Sequence, residues 1–379
     1  MKIGLTEIID AKIGTTQINK IMRGTVLIWE KVVAVVNTLA DYIARVLAAS
    51  GIVENETQLD LEVDFTSQQY LDAIAIYNPN GGKKVGKIYD VRDTDNTSPN
   101  DITVTGGGGT RLLADGTLEA VPFEMPKIDY STGSAKFLIE PERTNNFTYY
   151  NGKAGLNAPQ GGAITDNVIS APHLTDMASN FLESGTGNHG IFESNGTSRN
   201  ATYAISFYVK KLGRRYIGLQ SWYNTDIGAV AYFDLDTGTS VGTYSESSGY
   251  SVTDPKIEAV SDGWYRISAK FTSGSTVSYY GIASMDYLWT SGTSYDNGYV
   301  GDSAKGFYFY GRQEELTSLT SLIQSNGTAT TRTAAVASIP VPAGVTSIEE
   351  KVDGVINTIT TIPATYTMPN GAVEYVKFL

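Results

Sequence analysis

Tyr203-Ala204-Ile205-Ser206-Phe207-Tyr208-Val209-Lys210 and Arg215-Tyr216-Ile217-Gly218-Leu219-Gln220-Ser221-Trp222 alternate in character from one residue to the next. A period of two puts successive side chains on opposite faces of a pleated strand. It predicts Phe207 and Val209 toward a core, with Tyr208 and Lys210 outward. Three further runs follow: Ala229-Val230-Ala231-Tyr232-Phe233-Asp234-Leu235, Gly263-Trp264-Tyr265-Arg266-Ile267-Ser268-Ala269-Lys270-Phe271 and Gly306-Phe307-Tyr308-Phe309-Tyr310. Trp264, just after an Asp-Gly turn, is expected to plug one end of the core. Many antiparallel strands at near-regular spacing, without intervening helices, predict a mainly β protein: an antiparallel β-sandwich or jelly roll.

Turn chemistry supports this. Asn-Gly occurs at 80, 151, 195, 297, 326 and 370, and Asp-Gly at 115, 262 and 353. These dipeptides tolerate the positive φ that tight hairpins need. The glycine run 106–109 lies between two β-prone runs and lacks the Gly-Lys-Ser/Thr of a phosphate loop, so it is expected at a hairpin tip.

The 379 residues carry 28 Lys+Arg against 40 Asp+Glu, a net charge of −12, which argues against wrapping nucleic acid or anchoring to an anionic membrane. There is no Cys and there are two His, His173 and His189, so disulfides, thiolate nucleophiles and His-rich metal sites are excluded. No apolar run is long enough for a signal peptide or a membrane span. Tyr, at 24, outnumbers the 12 Phe and 4 Trp together, as expected of a chain rich in pleated surface.

Residues 1–31 hold short β-prone runs, too few to be stable alone. Residues 32–50 read as the one long helix, with Val36, Leu39, Ala40, Ile43, Val46 and Leu47 at helical spacing and Ser50-Gly51 as the stop. A shorter helix is expected over 67–75. Residues 337–344, rich in Pro and Gly, read as a linker before a small C-terminal β-unit. The expected division is therefore 1–31, a helical connection at 32–76, the main β-domain at 77–336 and the β-unit at 337–379.

Several blocks, in order, resemble a family of phage virion fibre and appendage proteins from phages of Bacteroidetes hosts, crAss-like phages included. They are residues 18–29, 44–54, 84–89, 110–116, 125–130, 138–145, 207–210, 233–238, 262–266 and 313–334. The resemblance implies a homotrimeric fibre subunit, assembled on the threefold axis through the helix at 32–49. It implies an N-terminal anchor to capsid or other virion proteins at 1–31, including Ile18, Ile21, Ile28 and Trp29. It implies a jelly roll displayed outward to attach to host-surface polysaccharide. A short anchor with one display domain suits a head fibre better than a tail fibre. Such a chain is made in the bacterial cytoplasm and carried on the virion. The run 106–109 replaces the family's arginine-rich entry to its first block.

Sugar rings present apolar C–H faces that stack on aromatic side chains, while polar neighbours satisfy the hydroxyls. The segment 279–299 suits this, with Tyr287, Trp289, Tyr295 and Tyr299 among Ser, Thr, Asp, Asn and Gly; Trp222 and Tyr223 lie at another strand end. The alternative is a virion-borne polysaccharide depolymerase, hydrolase or lyase. It would need two carboxylates in unlike settings, and the sequence marks no such pair. No catalytic residue and no cofactor are assigned. Asp234 and Asp236 read either as an Asx-type turn or as oxygen ligands for Ca2+. Glu140, Glu142 and Arg143 read as ion-paired residues at a strand end.

Overall fold

The apolar faces of the alternating strands close onto one another as two antiparallel sheets. The computed structural model describes residues 103–124, 127–134, 136–194, 201–223, 226–245, 250–273, 279–286, 298–341 and 344–378, with short strands at 12–13, 16–17, 20–23, 26–30, 61–64, 74–76 and 87–89. The chain divides into two units, Met1–Ile52 and Val53–Leu379.

In the first unit, Lys12–Ile13 pairs with Thr16–Gln17, and Lys20–Arg23 with Val26–Glu30. Ile21 stands opposite Trp29, with a bulge before Met22, and Ile28 lies in the same strand as Trp29. Ile18 and the helix expected at 32–50 lie outside the described residues. In the second unit, part of the shorter helix expected at 67–75 is a strand instead: Ile74–Ile76 pairs with Lys87–Tyr89. Two β-branched isoleucines in three residues favour that outcome.

The second unit is built on a sandwich of strands that we number β1 Gly162–Ser170, β2 Met177–Glu183, β3 Gly190–Ser194, β4 Ala201–Leu212, β5 Tyr216–Tyr223, β6 Asp226–Asp234, β7 Thr239–Ser245, β8 Tyr250–Ala259, β9 Trp264–Ser273, β10 Tyr279–Met285 and β11 Gly306–Leu316. One sheet has the order β1-β2-β11-β4-β9-β8 and the other β3-β10-β5-β6-β7. Both contribute to one core, which includes Phe181, Ile205, Phe207, Val209, Leu219, Phe233, Phe271, Ile282, Phe307 and Phe309. Phe181 stacks on Phe307 with centroids 5.1 Å apart, and Phe147 meets Phe207 edge-on at 6.0 Å. Each such side chain contributes roughly 1.5–3 kcal/mol on burial.

Tyr208 lies on the outer face of the six-stranded sheet, as expected, yet it is only 2% exposed. A second layer covers that face. Leu118, Leu322, Tyr310 and Trp264 pack with Tyr208. Trp264 is buried as expected, but in this outer layer beside Tyr308, not at an end of the main core. Lys210 does reach outward, pairing with Asp262 at 2.8 Å.

The glycine run 106–109 is not a hairpin tip. Thr103–Thr105 pairs with Val336–Pro340, whereas Gly109–Leu112 pairs with Leu118–Val121, so the run passes between two sheets. All four glycines have positive φ, and a Cβ on Gly106 would sit 2.0 Å from the Ala334 carbonyl oxygen. Only glycine fits both demands. The stretch expected as a linker likewise contains the strand Val336–Pro340, which joins Thr103–Thr105 and Thr365–Thr367.

Residues beyond 340 form a smaller sandwich with segments from far earlier in the chain. Its larger sheet has the order Ile128–Asp129, Lys136–Ile139, Gly371–Phe378, Ile348–Val352, Val355–Ile359, with Leu61–Asp64 also pairing with Gly371–Phe378. Phe137, Ile139, Ile339, Ile348, Tyr366 and Val373 share its core. The expected Asp353-Gly354 turn is present, with φ of 51° and 78°.

Trp264 tests the second layer. Trp264→Ala should lower the free energy of unfolding by about 3–5 kcal/mol in denaturant titration, because it removes a large side chain from a closed site. A change below about 1 kcal/mol would mean that the layer is not firmly packed.

Candidate functional site

Where the covering layer parts from the six-stranded sheet, a cleft of about 350 Å³ opens. That volume lies within the range of small-ligand sites. Its floor is the outer face of β4, β9 and β8. Across these strands the register sets Tyr208 beside Arg266 beside Glu258, and Ser206 beside Ser268 beside Lys256. Lys270 lies one row further along β9. The walls come from Thr110–Leu112, Asp129, Ser131, Leu138, Glu140 and Ser318–Ser321. Polar residues on alternate positions of β9 thus face the cleft while Ile267, Ala269 and Phe271 face the core.

Arg266 is fixed at the centre. Its Nε and Nη2 donate to Ser206 Oγ at 3.3 and 3.1 Å, and Nη2 donates to the Thr320 carbonyl at 2.8 Å. Its guanidinium stands 5.6 Å from the Tyr208 ring centroid. Nη1, the Tyr208 hydroxyl, the Ser268 hydroxyl and the Glu258 carboxylate make no hydrogen bond among the described residues, although the Glu258 charge acts on Arg266 from the adjacent strand. Burial raises the Tyr208 phenol above its ordinary pKa, so the hydroxyl keeps its proton and can both donate and accept. At the rim, Asp254 pairs with Lys270 at 3.1 Å and Lys256 at 3.4 Å. The hydrogen bond from Lys270, chiefly, lowers the Asp254 carboxyl below its ordinary range.

One wall is held by a buried ionic cluster. Glu140 accepts from Lys127 Nζ at 2.5 Å, Arg332 Nη1 at 2.8 Å, and the Ser321 amide and hydroxyl at 2.7 Å each. Lys127 Nζ also donates to the Gly108 carbonyl at 2.7 Å. Burial alone would push the Glu140 carboxyl up, but the charges of Lys127 and Arg332 and their hydrogen bonds outweigh it and hold the group low. The expected ion pairing of Glu140 is therefore present, with Lys127 and Arg332. Arg143 instead donates to the Glu142 carbonyl and to Ser318 Oγ.

The aromatic residues expected to bind sugar lie elsewhere or beyond description. Tyr287, Trp289 and Tyr295 are outside the described residues. Trp222 and Tyr223 end β5, Trp222 in register with Tyr279 on β10 and Tyr223 with Asp226 on β6. Tyr299, in a two-residue strand paired with Thr186–Gly187, donates to Glu183 Oε1 at 2.6 Å. Its ring meets His189 with centroids 4.3 Å apart, and Arg214 stands 4.6 Å from its centre. Burial and the bond to Glu183 raise its phenol pKa. Asp234 forms the Asx turn: it accepts from the Asp236 amide at 2.9 Å and from Arg215 at 2.7 Å, while Asp236 pairs with Lys211. Among the described residues no group of three or more His, Cys, Asp or Glu is placed to hold a metal ion.

No family model and no curated protein matches the chain. Among solved structures, similarity is found to the Clostridium thermocellum N-terminal endo-1,4-beta-D-xylanase 10B, as its CBM22-1 and GH10 modules complexed with xylohexaose. The match has 14% identity and a TM-score of 0.26, and covers 47% of this chain and 28% of that one. This chain thus spans less than a third of that protein, and a TM-score of this size carries no argument about fold or ligand.

Glu140→Gln tests the wall. It leaves Lys127 and Arg332 without their buried counter-charge, so stability at pH 7 should fall by about 3–5 kcal/mol. The Glu140 pKa is lowered on folding, so its contribution is present above the ordinary value of about 4.3 and is lost as pH falls below it. Urea titrations at pH 7 and pH 4 should therefore show a smaller loss on acidification in the variant than in the wild type.

Proposed function

We propose that this chain is a subunit of a phage virion fibre or appendage that displays a jelly-roll β-sandwich for attachment to a host-surface glycan. A head fibre is preferred to a tail fibre. On this reading residues 1–31 attach to the virion, 32–49 join three copies, and the second unit carries the ligand site. The ordered blocks of resemblance support the virion role. The observation that carries the glycan role is the cleft over β4, β9 and β8: polar groups without hydrogen bonds among the described residues stand in register on a rigid sheet, in a space fit for a small ligand. The tyrosine- and tryptophan-containing segment 279–299 is proposed as a stacking platform, where each productive ring contributes on the order of 1 kcal/mol.

Immobilised bacterial capsular polysaccharides test the reading. The full chain should bind at least one. Glu258→Ala should weaken that binding about tenfold, roughly 1.4 kcal/mol, with the thermal midpoint unchanged within about 2 °C, because Glu258 is exposed and makes no hydrogen bond within the fold. Binding to none of the polysaccharides overturns the glycan role. Shortening of the bound polysaccharide during the assay would favour the depolymerase instead.

A further inference from the structure

The cleft is chemically balanced. Its lining cations are Arg111, Lys256, Arg266 and Lys270. Its lining carboxylates are Asp129, Glu140, Asp254 and Glu258, so the formal charges sum to zero, four against four. Several already face an opposite charge. Arg111 pairs with Glu119 at 2.6 Å, Asp254 with both lysines, and Glu140 with Lys127 and Arg332. Asp254 is shared by two lysines, which leaves one positive charge, and Asp129, which accepts only from backbone amides, leaves one negative. At the centre of the floor Arg266 and Glu258 are adjacent in register on β9 and β8, with Tyr208 on the other side of Arg266.

This row presents a donor-only group between an acceptor-only carboxylate and a hydroxyl that does both. Neighbouring strands stand ~4.8 Å apart, a spacing close to that of hydroxyls two carbons apart on a pyranose ring. A sugar hydroxyl donates and accepts at once, so it can give its proton to Glu258 while accepting from Arg266. A ligand carboxylate can only accept. It would gain Arg266 but stand near the Glu258 and Asp129 carboxylates, whose like charge opposes it.

We infer that the cleft takes an uncharged pyranose unit, held by hydroxyls that bridge Arg266 to Glu258 and Tyr208, and that it discriminates against acidic sugars. The inference rests on the glycan reading and names the class of sugar that the same site selects.

Binding of the full chain to a neutral set (a glucan, a galactan and a mannan) is compared with binding to polygalacturonate. At least one neutral polymer should bind tenfold or more tighter than polygalacturonate. Its affinity should change less than twofold between 50 and 500 mM NaCl, because no net charge is paired. Glu258→Gln removes the repelling charge and keeps a hydrogen-bonding group, so it should narrow the preference by raising affinity for polygalacturonate. Equal or tighter binding of polygalacturonate by the wild type, or neutral binding that falls steeply with salt, overturns the inference while leaving the glycan reading intact. A preference unchanged in Glu258→Gln also overturns it. Binding to neither set while a capsular polysaccharide still binds overturns the inference alone; binding to none of them overturns the glycan reading and the inference with it.

Discussion

A carboxylate removed from water is stable only if other groups replace its hydration, and Glu140 has that need met from four directions. Lys127, Arg332 and the amide and hydroxyl of Ser321 all donate to it, and Lys127 reaches on to the Gly108 carbonyl. These groups come from segments far apart in sequence, and each forms part of the layer over the six-stranded sheet or of the link to the smaller sandwich. A buried pair of this kind is weak evidence of net stabilisation, since hydrophobic residues of equal volume could do as well. What it supplies is geometry. Charge-assisted hydrogen bonds fix distances that apolar packing would leave looser, and the cleft wall containing Leu138, Glu140 and Ser318–Ser321 depends on those distances.

The outer face of the six-stranded sheet is used in two ways. Toward one end, Tyr208, Trp264, Tyr310 and Leu322 form a dry layer. Beside it, Arg266, Ser268, Lys256 and Glu258 keep polar groups in contact with a solvent-filled space. Tyr208 belongs to both, with its ring packed and its hydroxyl toward the cleft. A ligand site on such a face is preorganised, because strand register sets the spacing of its groups and Arg266 is pinned by Ser206 and Thr320 before any ligand arrives.

The main sandwich was legible from period-two alternation, because Phe207, Val209, Ile267 and Phe271 lie on the faces that the pattern assigns them. The second layer was not. Alternation tells which face a side chain takes, not whether another part of the chain covers that face, so the outward orientation of Tyr208 was legible and its burial was not. The run 106–109 misled for a related reason: four glycines announce unusual backbone, and only the partners of the flanking strands show whether it turns back or crosses between sheets. The linker reading of 337–344 failed because Pro340 ends a strand whose neighbours are remote. Part of the cleft could have been read in advance. Arg266, Ser268 and Lys270 alternate with apolar residues on one strand, a polar face wide enough to have been singled out. Their convergence with Asp129, Glu140 and Ser318–Ser321 could not, since those segments meet only through long-range pairing.

The strand Gly371–Phe378 occupies the middle of the smaller sheet, between Lys136–Ile139 and Ile348–Val352. During synthesis Lys136–Ile139 emerges more than two hundred residues before it, and Lys136 must wait for Glu374 to form their 3.1 Å ion pair. Until then Lys136–Ile139 has only its short local partner Ile128–Asp129 on one side. Contacts this remote in sequence make the smaller sandwich a slow, late-closing element. While a nascent chain waits, the unpaired edge of Lys136–Ile139 is open to any strand that reaches it first, including its equivalent on a neighbouring chain. Chains that are completed before they meet avoid this exchange, because the edge is then already covered.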